Sequence, residues 1–211
     1  MMKTIIVGPL EVNCYILWDK KSREAVIIDP GGDAGVINNT VKKEDLKVKY
    51  IINTHGHFDH VGGNAQVKAY TGAPVAIHVN DAPLLKEAHE HGILYGVKTP
   101  EQGDPEIPLK GGEVIKTGEI KMTVIHTPGH TKGGICLFDR KKGRVFTGDT
   151  LFAGSIGRTD FPGGSYEEII DSIKKKLLPL GGSVRVFPGH GPETTITDER
   201  DGNPFIAGDG V

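Results

Sequence analysis

Short apolar runs, most of them β-branched, recur along the chain and are cut off by glycine, proline or acidic residues. Such runs read as brief, buried strands bounded by turns. They predict strands over 4–7, 13–18, 25–29, 48–53 and 73–78, and then over 113–116, 120–125, 134–139, 144–146 and 184–187. Helical periodicity falls between them, over 34–41, 65–70, 81–91 and 166–178. In the last of these Ile169, Ile170, Ile173, Leu177 and Leu178 form the apolar stripe. Ser165 sits at its N-cap, and Glu168 stands where it completes a capping box. The irregular stretch 95–110, rich in Pro, Gly and acids, reads as a surface loop. Thr117-Gly118-Glu119 and Arg140-Lys141-Lys142-Gly143 read as hairpin turns. Strands alternating with helices, and two such blocks in succession, point to a layered α/β fold.

Composition narrows the class. The 211 residues carry a net charge of −2 and 37% hydrophobic content, ordinary for a globular chain. No long run of either sign is present, which argues against a dedicated nucleic-acid surface or a polybasic membrane patch. No apolar run approaches the ~18 residues of a spanning helix. The N-terminal apolar stretch is too short for a signal peptide, so a cytoplasmic protein is expected. Cys14 and Cys136 lie in apolar strand-like runs and read as packing residues. The thirty glycines punctuate turns, and no repeat at a solenoid period is visible.

Chemistry concentrates where strands end. Thr54-His55-Gly56-His57-Phe58-Asp59-His60 follows the strand at 48–53, and a helix start is expected at Val61-Gly62. Three imidazoles and a carboxylate crowded together are poorly accommodated unless a divalent cation shares them. His130 follows the strand at 120–125 after a Pro-Gly turn, Asp149 follows 144–146, and His190 follows 184–187. These seven candidate ligands exceed what one ion needs, so they point to two ions sharing a carboxylate. Metal coordination lowers the pKa of water from 15.7 to about 7, so hydroxide attack on an ester-like carbonyl is the natural chemistry. Asp29, at the end of another strand, is either a turn residue or a carboxylate that orients a ligand histidine. His126 reads as shaping its loop, and His78, His89 and His91 as ordinary polar residues.

His55-x-His57-x-Asp59-His60 with His130, Asp149 and His190 downstream resembles the metallo-β-lactamase superfamily over nearly the whole chain. The resemblance implies one domain over residues 1–211, a four-layer αβ/βα sandwich with the metals at one edge between the sheets. It implies that His55, His57 and His130 hold one metal, that Asp59, His60 and His190 hold the other, and that Asp149 bridges them. Asp59 and Asp149 are then the expected catalytic carboxylates. Zinc is the expected metal, and iron or manganese suits the same donors. Thr127-Pro128-Gly129-His130-Thr131, Thr147-Gly148-Asp149-Thr150 and Gly157-Arg158-Thr159-Asp160-Phe161 resemble the glyoxalase II branch, and the tail through Asn203-Pro204-Phe205 resembles its short members. That branch implies hydrolysis of acyl-thioesters, among them glutathione conjugates, with Arg158 contacting the substrate or else pairing with Asp160. Persulfide dioxygenases share the Gly157–Phe161 stretch and imply the alternative, an oxidoreductase with one iron held by two His and an Asp. A hydrolase of another ester or of a lactam is also compatible with the fold.

Overall fold

Two six-stranded sheets lie face to face in the computed structural model, which describes residues 1–206. The first contains β1 (Met2–Val7), β2 (Val12–Trp18), β3 (Glu24–Ile28), β4 (Lys47–Ile52), β5 (Val75–His78) and β6 (Ile107–Leu109), in that spatial order. The first three run antiparallel, and β3 to β6 are parallel to one another. Parallel neighbours require crossovers. These are α1 (Ala34–Lys43), then α2 (Phe58–Val61) with α3 (Asn64–Thr71), then α4 (Ala82–Leu94). The second sheet draws on β7 (Val114–Thr117), β8 (Ile120–His126), β9 (Ile135–Asp139), β10 (Arg144–Gly148), β13 (Arg185–Pro188) and β14 (Thr194–Thr195). Its order is β14-β13-β10-β9-β8-β7, with only β10 and β13 parallel. A small hairpin, β11 (Leu151–Phe152) with β12 (Ser155–Ile156), precedes α5 (Tyr166–Ser172), and α6 (Ile196–Gly202) follows β14.

Period-two alternation explains the layers. Cys14, Ile16 and Trp18 of β2 face outward onto Ile37 and Val41 of α1 and Val67 of α3. Tyr15 and Leu17 face inward and meet Leu137, Phe146 and Phe187 of the second sheet. On that sheet's far side Cys136, Phe138, Val145 and Val186 pack against Ile169, Ile173 and Leu177. The layers are therefore helix, sheet, sheet, helix, as the resemblance implied. No helix among the described residues is long and apolar enough to cross a membrane. Residues 207–211 of the expected 1–211 unit lie outside the described residues.

Several local expectations change. The stretch at 95–110 is not all loop, since Ile107-Pro108-Leu109 adds an edge strand, a position that tolerates proline. The capping box at α5 is half formed. Ser165 Oγ accepts from the Glu168 N–H at 3.3 Å, but the Ser165 N–H donates to the Gly129 carbonyl at 2.7 Å. That bond ties the helix start to the turn carrying His130. Beyond Ser172 the helix widens into a π-turn over Ile173–Leu177, which accommodates the four-residue spacing of Ile169, Ile173 and Leu177. The tail forms β14 and α6, whose Thr195 caps the helix by accepting from the Asp198 N–H at 3.1 Å.

Candidate metal centre

All seven expected ligands come together at one edge of the two sheets. His55 and His57 follow β4, Asp59 and His60 ride on α2, His130 lies in the β8–β9 turn, Asp149 directly follows β10, and His190 follows β13. The helix therefore starts at Phe58 rather than at Val61, and Gly62 and Gly63 separate α2 from α3. Starting the helix early turns Asp59 and His60 inward beside His55. Ligand atoms form three groups, each within 4.8 Å: His55, His57 and His130; His55, His60 and Asp149; Asp59, His60 and His190. The first and third are the two triads expected above, and the second places Asp149 against both.

Partners outside the cluster fix how the rings point. His130 Nδ1 donates to the Arg158 carbonyl at 2.7 Å, and His190 Nδ1 donates to the Leu10 carbonyl at 3.0 Å. A carbonyl only accepts, so Nδ1 carries the hydrogen and a neutral ring keeps its Nε2 lone pair for the centre. His60 Nδ1 is likewise engaged by Asp29 Oδ2 at 3.1 Å. Asp29 also accepts from the Thr54 N–H and from Thr54 Oγ1, each at 2.7 Å, leaving that oxygen to accept from His55 Nδ1 at 3.1 Å. Asp29 is thus the carboxylate that orients His60, and through Thr54 also His55, and not merely a turn residue.

What faces inward lacks ordinary partners. His55 Nε2 and Asp149 Oδ1 are buried and have no hydrogen bond. His130 Nε2 meets His57 Nδ1 at 2.9 Å, and His60 Nε2 meets His190 Nε2 at 3.3 Å. These ring nitrogens can satisfy one another in pairs, but the buried His55 Nε2 and Asp149 Oδ1 beside them cannot, and a cation at the centre would serve all of them. Asp149 stands 3.3 Å from His60 Nε2 and 3.7 Å from the Nε2 atoms of His130 and His190, while Asp59 Oδ2 is 3.4 Å from His190 Nε2. Five imidazoles and two carboxylates so arranged fit divalent cations.

Electrostatics agree with that division. Burial and the neighbouring imidazoles hold His55 well below the usual histidine range, and burial together with His130 holds His57 at about 3. Burial opposes charge on His60 as well, but Asp149, Asp59 and Asp29 outweigh it and raise its pKa. Burial would raise the carboxyls of Asp59 and Asp149, yet the imidazoles, His60 foremost, hold both below their ordinary range. Neither thiol is poised to attack. Burial raises Cys14 well above its ordinary value and lifts Cys136 to about 11.

The ligand loops are joined by groups that give no local signal in the sequence. Buried Asp81 accepts from the Gly56 N–H at 3.0 Å, from Thr131 Oγ1 at 2.7 Å and from the Gly133 N–H at 2.6 Å. It links the His55–His57 turn to the His130 turn. Asn13 Nδ2 and Tyr15 Oη donate to the Pro188 carbonyl at 3.1 and 2.6 Å and hold the His190 turn against β2. At Gly189 a Cβ would lie 2.2 Å from Asp149 Oδ1 and 2.7 Å from His60 Cε1. Gly189→Ala is therefore expected to lower bound metal by at least ~10-fold, the scale on which displaced supporting groups act. Elemental analysis after dialysis checks this, and wild-type occupancy in the variant would refute the crowding.

Arg158 sits at the rim, exposed. Its Nε and Nη2 donate to Asp160 at 2.8 and 2.7 Å, and its guanidinium lies 3.7 Å from the centre of the Phe161 ring. Phe161 in turn packs edge-on against His57, centroids 5.8 Å apart. His126 stays out of the centre, with Nε2 donating to the Lys132 carbonyl at 2.9 Å and the ring stacked on His78 at 4.0 Å. His89 bonds the Thr99 carbonyl, and His91 lies 4.0 Å from Glu87. A cavity of about 400 Å³ lined by Asn64, Lys68, Leu85, Gln102 and Asp104 shares no residue with the centre.

The two-sheet sandwich and the His/Asp cluster at its edge define a metallo-hydrolase type of protein. A family model described as the metallo-beta-lactamase superfamily matches residues 7–190, and the chain belongs to that superfamily. It is 38% identical to the hydroxyacylglutathione hydrolase GloC of Haemophilus influenzae, over 97% of each chain. Among solved structures it resembles the B3 metallo-beta-lactamase BLEG-1, with a TM-score of 0.92 and 38% identity over 99% of this chain and all of the other. It also resembles TTHA1623 in a di-iron-bound form, with a TM-score of 0.89 and 36% identity over 97% of this chain and 100% of that one.

Proposed function

We propose that the chain is a binuclear metal-dependent hydrolase of acyl-thioesters, similar to hydroxyacylglutathione hydrolase. The observation that carries this reading is the set of inward-facing, unpartnered donors, His55 Nε2 and Asp149 Oδ1 among them, held from outside by Asp29, Arg158 and Leu10. His55, His57 and His130 would hold one ion and Asp59, His60 and His190 the other, with Asp149 within reach of both groups. Bound there, divalent ions supply Lewis acidity and lower the pKa of water toward neutrality. Asp59 and Asp149 bring the negative charge that two such ions require. The overall reaction adds water across the acyl–sulfur bond and releases a carboxylate and a thiol.

Arg158 meets an anionic group of the thiol half. Its Nη1 has no partner among the described residues, and guanidinium is well matched to carboxylate. The name of the GloC relative supports the glutathione-type substrate. Zinc is the proposed metal, and the di-iron form of TTHA1623 supports iron as the competitor. Two buried free thiols fit a reducing, cytoplasmic setting, and the proposed partner is a small-molecule thioester rather than nucleic acid or membrane.

Metal-loaded protein is expected to hydrolyse members of a panel of acyl-thioesters, to lose turnover to a chelator and to regain it with added metal. No turnover on any member would sink the proposal. BLEG-1 favours adding a β-lactam to the panel. Oxygen uptake with glutathione persulfide by a form holding one iron would put the oxidoreductase reading in its place.

A further inference from the structure

Glu199 of α6 is buried, and its three hydrogen-bond donors are all neutral. Thr194 Oγ1 donates to its Oε1 at 2.7 Å, while Asn203 Nδ2 and the Gly154 N–H donate to its Oε2 at 2.7 and 2.9 Å. A carboxylate held only by neutral donors is costly to bury, and an apolar side chain would seal the helix at lower cost. Two of the donors lie on the same C-terminal segment. The third lies 45 positions back, at the tip of the β11–β12 hairpin. Asn203 Nδ2 adds a second tie to that tip by donating to the Ser155 carbonyl at 3.0 Å.

The same hairpin meets the metal centre. Phe152 pairs with Ser155 across the hairpin, and its ring stands edge-on to His190, centroids 6.2 Å apart and planes at 78°. Apart from His60, Phe152 is the aromatic neighbour of His190 among the described residues. His190 has need of one. Its side chain is 29% exposed, whereas that of His60 is fully buried, so burial alone does not fix it. The Leu10 carbonyl holds its Nδ1, but one hydrogen bond fixes an axis and leaves the ring free to turn about it. The Phe152 contact restrains that turn.

We propose that Glu199 is a positioning residue for His190: by holding the hairpin tip it keeps Phe152 against that ring and so sets a ligand of the second ion. The inference rests on the binuclear reading above. Hydrogen bonding rather than charge does the holding. A glutamine at this position can accept from Gly154 and Asn203 on its oxygen and donate to Thr194 Oγ1, whose hydroxyl accepts as well as donates.

The test compares full-length wild type, Glu199→Ala, Glu199→Gln, Phe152→Leu and the Glu199→Ala/Phe152→Leu pair, all treated with zinc. NMR of histidine-labelled protein follows the His190 ring protons, which the ring current of Phe152 shifts. In Glu199→Ala they are expected where Phe152→Leu puts them, and in Glu199→Gln at the wild-type position. Competitive metal titration is expected to show the second ion bound about tenfold more weakly in Glu199→Ala and in Phe152→Leu, with the first ion unchanged. The double variant is expected to be no weaker than Phe152→Leu, because both changes act on one contact. Wild-type His190 resonances in Glu199→Ala, additive losses in the double variant, or no rescue by glutamine would overturn the positioning role. If Glu199→Ala does not fold, Glu199→Asp, one methylene short of Gly154, supplies the same readouts. If wild type holds fewer than two ions, the binuclear reading fails, and the His190 resonances still decide the role of Glu199.

Discussion

Asp149→Ala is expected to abolish turnover and to leave the protein unable to keep two ions. Among the described residues Asp149 is the one carboxylate within 3.7 Å of the Nε2 atoms of His60, His130 and His190, so its removal touches both proposed ion sites. Loss of a group that merely supports a ligand costs ~10–100-fold in metal affinity or activity, so loss of a shared ligand should exceed 100-fold. Asp149→Asn keeps the shape and removes the charge. It is expected to fall as far in metal content, because neutral donors cannot offset two divalent ions. Denaturant unfolding of the metal-free variant reads how much the lost Asp149–His60 ion pair, 3.3 Å in the wild type, costs the fold, separately from metal content. Elemental analysis and thioester turnover on one preparation read both effects. Two retained ions with full activity in Asp149→Ala would refute the shared-ligand role.

The contrast between Asp149 and the groups around it shows what a sequence exposes and what it hides. The ligands were legible because each follows an apolar run at a glycine or proline turn, and four of them crowd into His55–His60. The sandwich was legible from two blocks of strands with intervening helices, and Tyr15 and Cys14 do face opposite layers as alternation requires. Strands of two or three residues, such as β11, β12 and Ile107-Pro108-Leu109, have no period to read. The α6 start does carry a local signal, because Thr195 and Asp198 have capping spacing. The supports of the centre are a different case. Arg158 and Leu10 orient histidines through backbone carbonyls, which every residue has, so no side-chain pattern announces them. Asp29 was visible only as a choice between two roles, and the choice turned on His60, 31 positions away.

Asp81 is the strongest instance of such a hidden support, and the second large effect is expected there. In sequence it is one acid opening the helix that reads over 81–91. In the structure it is buried and binds three donors on two ligand turns, at 2.6–3.0 Å. Burial pushes its carboxyl above the ordinary range even though Thr131, Gly133 and Gly56 pull the other way. Asp81→Ala strands all three donors. Each hydrogen bond to a charged group is worth ~1.5–3 kcal/mol, and water entering the vacated space recovers part, so a loss of about 3–5 kcal/mol in unfolding free energy is expected. Asp81→Asn separates two causes. Its amide oxygen can replace the oxygen that serves Gly56 and Thr131, but its NH2 then faces the Gly133 N–H, so roughly half the loss should remain. Because the His55–His57 and His130 turns would no longer be tied, metal affinity should fall along the same series, by ~10–100-fold in the alanine variant. Denaturant unfolding of the metal-free protein and competitive metal titration measure the two separately. Unchanged stability in Asp81→Ala would show that the turns are held by other contacts, and unchanged metal affinity beside lost stability would confine Asp81 to the scaffold.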